Sequence, residues 1–178
     1  MKLIDNLSEK LVDDLRVTMQ RDSRVPIAAA CFSVYAYEEL KAQLENIDEL
    51  RFLFTSPTFL QEKTAKARRE FYIPRRNREK ALHGSEFEIR LRNDFSQKAI
   101  SRECADWIRR KVCFKSNQTA EGIPNFMTID SAEPVTYAPV NGFTRADLGC
   151  ERGNSLFTMI NRIDAPQSTQ YLELFNTI

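Results

Sequence analysis

The densest chemistry in this chain is cationic. Lys63, Lys66, Arg68, Arg69, Arg75, Arg76, Arg78 and Lys80 fall in one stretch, opposed by Glu62, Glu70 and Glu79. Guanidinium forks match phosphate oxygens, and the neighbouring rings of Phe71 and Tyr72 offer faces on which bases can stack. Arg68, Arg69, Arg75, Arg76 and Arg78 are therefore the candidate nucleic-acid contacts. The plainer reading is a solvated loop whose charges offset acidic surface elsewhere, and a formal net charge of +1 leaves both readings open. The single histidine, His83, precedes Gly84-Ser85. Histidine is the default acid, base or nucleophile near neutral pH. No constellation of serine, cysteine or carboxylate accompanies this one, so it reads as a surface residue.

A second candidate is the run Gly149-Cys150-Glu151-Arg152-Gly153-Asn154, read as a turn from a strand into a helix. Amides at a helix start can hold an anion. The glycines are too few for a Walker loop and no Lys-Ser/Thr follows. The plainer alternative is an ordinary turn with Asn154 or Ser155 as N-cap. A third feature is the segment 92–111, where Arg92, Lys98, Arg102, Arg109, Arg110 and Lys111 alternate with Asp94, Glu103 and Asp106. Mixed signs at these spacings describe paired charges on a solvated helix face.

The elements that must position these residues follow from apolar periodicity. Val25 to Tyr35 is almost continuously apolar, Tyr37, Leu40, Leu44 and Ile47 recur at helical spacing, and Leu50 to Phe54 is a second apolar run. A strand apolar on both faces is buried on both faces, and a crossover helix between two such strands makes a right-handed βαβ unit. The spacing predicts strands over 25–34 and 49–54, adjacent and parallel, with a helix over 36–46 between them. Sites on such a sheet lie beyond the carboxyl ends of its strands. An amphipathic helix is expected over 4–20, with Ile4, Leu7, Leu11 and Leu15 inward and Asp5 or Asn6 as cap. A second strong helix is expected over 94–110, its inner side carrying Phe95, Ala99, Ile100, Cys104, Trp107 and Ile108. Short strands follow at 112–114, 126–129, 135–138 and 143–148, with Asn141-Gly142 as a hairpin turn. Helices are expected over 154–163 and 169–177, separated by Pro166.

Composition bounds the class. A chain of 178 residues, 42% hydrophobic and 29% charged, is one ordinary globular domain. No apolar run approaches the roughly 20 residues of a membrane span, and the N-terminus lacks a signal-peptide apolar region. The four cysteines, Cys31, Cys104, Cys113 and Cys150, are widely spaced. With Cys31 in a core strand and Cys104 on a buried helix face, they read as small buried hydrophobes in a reducing cytoplasm. One histidine and no Cys-x-x-Cys pair argue against structural zinc. The chain stops in or just after a helix containing Tyr171, Leu172, Leu174, Phe175 and Ile178, which suggests an excised domain.

These pieces together resemble the phospholipase D-like fold. More narrowly, they resemble the phospholipase D-like domain at the N-terminus of certain bacterial Swi/Snf-related superfamily 2 helicases. The residues that carry the likeness are Leu3-Ile4-Asp5-Asn6, Ala29 to Tyr35 with Leu40 and Leu44, and Leu50 to Phe54 with Ser56-Pro57-Thr58-Phe59. Arg102-Glu103-Cys104-Ala105-Asp106-Trp107-Ile108 and the Gly149-to-Asn154 turn complete it. The likeness implies an α/β domain with a mixed, mostly parallel sheet flanked by helices. Active members of the superfamily carry a His-x-Lys pair, a downstream Asp and a Gly-Ser-x-x-x-Asn-like turn. Here the strand expected to bear the pair is Phe126 to Asp130 or Val135 to Ala138, and neither contains His or Lys. Gly149 and Asn154 are what remains of the turn. Without its nucleophile the phosphohistidine mechanism fails.

The implied protein is a non-catalytic accessory domain, residues 1–178, of an ATP-dependent DNA helicase or translocase whose ATP-binding motor lies beyond Ile178. It would contact DNA or a partner protein, need no cofactor of its own and sit in the cytoplasm, off the membrane. The alternatives are a phospholipase D-type phosphodiesterase or nuclease, and a homodimerisation module.

Overall fold

The computed structural model describes residues 2–55, 97–117, 122–152 and 158–178. They form one seven-stranded mixed sheet in the order β1-β7-β6-β5-β2-β3-β4. The strands are β1 (Lys2–Ile4), β2 (Arg24–Ala29), β3 (Glu49–Phe54), β4 (Val112–Ser116), β5 (Phe126–Ile129), β6 (Val135–Ala138) and β7 (Ile160–Ile163). The helices are α1 (Leu11–Thr18), α2 (Val34–Leu44), α3 (Gln97–Lys111) and α4 (Gln167–Thr177). No helix among the described residues is long and apolar enough to cross a membrane.

The parallel βαβ expectation holds where it was drawn. β2 and β3 pair in parallel from Arg24↔Glu49 to Ala29↔Phe54 around α2, and β3 and β4 pair in parallel around α3. The extension of that pattern to the whole sheet does not hold, because the other four pairings are antiparallel. For β5 and β6 the reason lies in connection length. Only a few residues separate Ile129 from Val135, and a parallel return needs a crossover of a dozen or more residues. Pro26 leaves its own mark, since it has no N–H to donate. The β2–β5 ladder pairs Ile27 and Ala28, breaks opposite Pro26, and resumes as the Arg24↔Asp130 bridge.

The two sheet faces are unequally covered. Val25, Ile27, Ala29, Leu50, Phe52, Phe54, Met127 and Tyr137 point to the face packed by α1, α2 and α3. Trp107 and Tyr37 meet in its centre, with ring centroids 4.9 Å apart, and the Trp107 indole N–H donates to the Leu44 carbonyl at 3.0 Å. The opposite face, Ala28, Leu53 and Phe126, lies under Tyr171 and Phe175 of α4. The expected inner residues Cys104 and Trp107 are fully buried, whereas Ala99 is exposed.

Four local expectations are corrected. The segment 4–10 is not helical. Ile4 ends β1, and Leu7 is 69% exposed. The Asp5 carboxylate accepts the backbone N–H groups of Leu7, Ser8 and Glu9 in a local turn, and Asn6 takes a left-handed φ of 57° that a right-handed helix cannot contain. Residues 143–148 form no strand. Phe143 makes one parallel bridge to Phe32, and the chain then coils through a single helical turn. Asn141-Gly142 is consequently not a hairpin turn. The Asn141 carbonyl accepts from Ala30 N–H at 2.9 Å and Phe143 N–H donates to Cys31 at 2.8 Å, so the dipeptide is stitched to the chain leaving β2. Finally, Ile160 and Ile163 belong to β7, not to a helix over 154–163. Two apolar residues three apart fit a helix stripe, but strand pairing on both sides of 160–163 outweighs that weak local preference.

Candidate functional site

Strands β1, β2, β3, β4 and β6 run in one direction, so their carboxyl ends gather at one end of the sheet. That end is where open α/β sheets carry ligands. Among the described residues, its centre is built from neutral polar side chains. The buried Thr55 hydroxyl, just past β3, donates to Asn125 Oδ1 at 2.7 Å. The buried Asn117, just past β4, donates from Nδ2 to the Thr55 carbonyl at 3.2 Å, while its backbone N–H donates to Phe54 at 2.9 Å. Val140 N–H closes the ring on the Asn125 carbonyl at 3.3 Å. These groups bond to one another, and none is a carboxylate, an imidazole, an amine or a thiol.

Beside them, Cys31 lies beyond the end of β2, half-buried, and so is not the core-strand residue expected from sequence. Cys104 is buried, Cys113 is exposed and Cys150 is half-buried. The chain passes Cys31 only because position 142 is glycine. A Cβ there would lie 2.6 Å from Cys31 Sγ and 2.9 Å from Asp147 Oδ2. Asp147 closes the N-terminus of the next helical turn, where its backbone N–H donates to Thr144 Oγ1 at 3.1 Å and the Thr144 hydroxyl donates back to its carboxylate. Burial pushes the Asp147 carboxyl above the ordinary range, against the opposing bonds from Thr144 and the Gly142 N–H.

The expected Gly149 turn exists, but with the opposite polarity. Gly149 ends a helical turn instead of opening a helix. Its N–H donates to Ala146 at 3.1 Å, and Cys150 N–H donates to Arg145 at 2.8 Å. With Gly149 at φ +78° this is a Schellman C-cap. A glycine followed by polar residues fits either helix end, and only the left-handed φ decides between them. Asn6 packs against it: Asn6 Nδ2 donates to the Asp147 carbonyl at 2.8 Å, and Asn6 Oδ1 accepts the Leu11 N–H at 2.8 Å. Asn6 therefore caps the first amide of α1, as the sequence suggested, but from outside the helix.

Asn154, His83 and the candidate contacts Arg68, Arg69, Arg75, Arg76 and Arg78 lie outside the described residues. The cations of α3 are arranged otherwise than as simple intrahelical pairs. Arg109 pairs with Asp106 at 2.6 Å, but Arg110 reaches Glu45 at 3.3 Å, Lys41 of α2 pairs with Glu103 at 2.7 Å, and Lys111 donates to the carbonyls of Glu45 and Ile47. They bind α3 to α2 and the chain beyond it. The strands expected to carry a His-x-Lys pair are interior strands of the sheet. There Thr128 and Thr136 share a hydroxyl contact of 2.8 Å, and Thr136 makes another of 2.8 Å to Ser168. No protein-family model and no curated protein matches the chain.

Proposed function

We propose that this chain is a degenerate phospholipase D-like domain that binds nucleic acid without cleaving it, as an accessory unit of an ATP-dependent DNA helicase or translocase. The observation that carries the reading is the chemistry of β5, β6 and the sheet's carboxyl end. Buried threonines stand in the strands that would hold a nucleophile and its lysine, and Thr55, Asn117 and Asn125 supply only neutral hydrogen-bonding groups beside them. A phosphodiesterase of this class needs a nucleophile and a proton donor, worth many orders of magnitude in rate. The mixed sheet with helices on both faces supports the finer fold assignment. The cationic run that follows Thr55 in sequence supports the choice of nucleic acid as ligand.

Fluorescence anisotropy with labelled duplex DNA tests this. Each phosphate neutralised contributes a slope of about −0.9 in log K against log salt. Replacing Arg68, Arg69 and Arg75 with Ala should make that slope shallower by roughly two to three units and weaken all sequences alike. A salt slope near zero in the wild-type chain contradicts nucleic-acid binding. Metal-independent hydrolysis of bis-p-nitrophenyl phosphate that is lost in His83→Ala contradicts the non-catalytic assignment.

A further inference from the structure

The wall between α1, α2 and the turn ending at Gly149 is concave, and its charges are unevenly matched. The cleft measures about 250 Å³ and is lined by Lys10, Asp13, Arg16, Glu39, Arg145 and Cys150. Three cations come from three separate places: Lys10 precedes α1, Arg16 lies on α1, and Arg145 lies on the turn after Thr144. Glu39 of α2 serves two of them, with Arg145 at 3.0 Å and Arg16 at 3.8 Å. Asp13 adds a second contact to Arg16 at 3.2 Å. Lys10 makes no ion pair with any described residue. Among the described lining residues three cations stand against two carboxylates, and Lys10 is the cation that neither carboxylate reaches.

From this we infer that the cleft is a binding site for a phosphate group. Guanidinium forks bind phosphate bidentately, and Lys10 adds a mobile point charge at the mouth. Cys150 contributes no competing negative charge, because burial and then the nearby Glu39 push its thiol up to about 11. The positive end of the α1 dipole favours the same ligand. The amides of that helix end are already spent, Leu11 on Asn6 Oδ1 and Val12 on the Leu148 carbonyl at 3.0 Å, so the side chains do the binding. Glu39 is the internal competitor: it holds the two guanidiniums in place and gives up part of their charge to an entering phosphate.

A backbone phosphate of bound nucleic acid and free inorganic phosphate present this same chemistry. Assigning the site to the former rests on the nucleic-acid reading above. Amide ¹H–¹⁵N spectra of the whole chain separate the two, titrated with inorganic phosphate in one series and a short single-stranded oligonucleotide in another, at matched ionic strength in chloride. Saturable shifts at residues 10–13 and 145–150 are expected with both. Lys10→Ala should weaken phosphate binding several-fold. Glu39→Gln should tighten it by about fivefold, the upper end of what a surface ion pair contributes. Tightening on loss of Glu39 is a result that a purely structural ion-pair cluster does not give. Shifts with phosphate and no oligonucleotide-induced shift anywhere in the spectrum keep the site and overturn the nucleic-acid reading. Oligonucleotide binding with these amides unmoved by either ligand does the reverse. Shifts equal to those from chloride, or a Glu39→Gln variant with unchanged affinity, overturn the site.

Discussion

The Tyr137 hydroxyl donates to Asp14 Oδ2 at 2.6 Å, joining the middle of β6 to α1 across 123 positions of sequence. The ring is fully buried. Around the same carboxylate, Arg162 Nη1 of β7 lies 3.1 Å from both oxygens and Lys2 Nζ of β1 lies 3.3 Å from Oδ1. One acid therefore ties α1 to three strands. Tyr137→Phe removes the buried donor without removing volume. A hydrogen bond to a charged group is worth about 1.5–3 kcal/mol, and urea unfolding at neutral pH should show a loss in that range with an unchanged m-value.

The same contact predicts an acid dependence. Burial acts to raise the Asp14 carboxyl, but the Tyr137 hydroxyl, the Arg162 guanidinium and Lys2 outweigh it and hold the group below its ordinary value. A carboxylate whose pKa is lower when folded stabilises the fold fully above its unfolded value of about 3.9. That contribution disappears as pH falls through the lower folded value. The stability gap between wild type and Tyr137→Phe should therefore narrow from pH 6 toward pH 3. Paired urea titrations across that range check it, and a gap independent of pH would remove Asp14 from the account.

Thr128, Thr136 and Ser168 form a buried chain of hydroxyls that docks α4 onto β5 and β6. Thr136 is the middle link. Thr136→Val strands a hydroxyl on each side and should cost about 1–3 kcal/mol. The triple variant Thr128→Val, Thr136→Val, Ser168→Ala removes every unpaired group together. It should be more stable than the single variant by thermal melting, a reversal that additive losses do not give.

Gly149→Ala should destabilise the fold by about 1–2 kcal/mol from the left-handed backbone alone. The structure adds a second cost. The new Cβ would lie 2.7 Å from Asn6 Oδ1, the acceptor of the Leu11 amide. Hydrogen exchange in the variant should therefore be faster at Leu11, a residue far away in sequence, as well as at Cys150.

How much was legible followed the range of the forces involved. Val25–Phe54 declared its fold in the sequence, because burial on both faces and a crossover of standard length leave one arrangement. Phe126–Ile129 and Val135–Ala138 were legible as strands for the same reason, though their antiparallel sense had to be read from the short link between them. Ile160–Ile163 was not legible, since its identity as a strand depends on partners at Lys2–Ile4 and Thr136–Ala138. The Asp14–Tyr137–Arg162 cluster was invisible for the same reason, its members being unremarkable singly. Asp13 and Asp14 are adjacent and alike in sequence, yet only Asp14 faces the sheet. In the cleft, Lys10, Arg16 and Arg145 could have been suspected only by knowing that residues 144–149 fold back against the start of α1.

The pairing of β1 with β7 fixes an order of events for the chain. A nascent polypeptide emitting Lys2–Ile4 has no strand to pair with them until Ile160–Ile163 has been made. Until then Asp14 also lacks Arg162, its partner 148 positions away. Closing so long a loop adds little to the entropic cost but slows the search for the native arrangement. The βαβ half can assemble from near neighbours, while β1 can pair only once β7 exists.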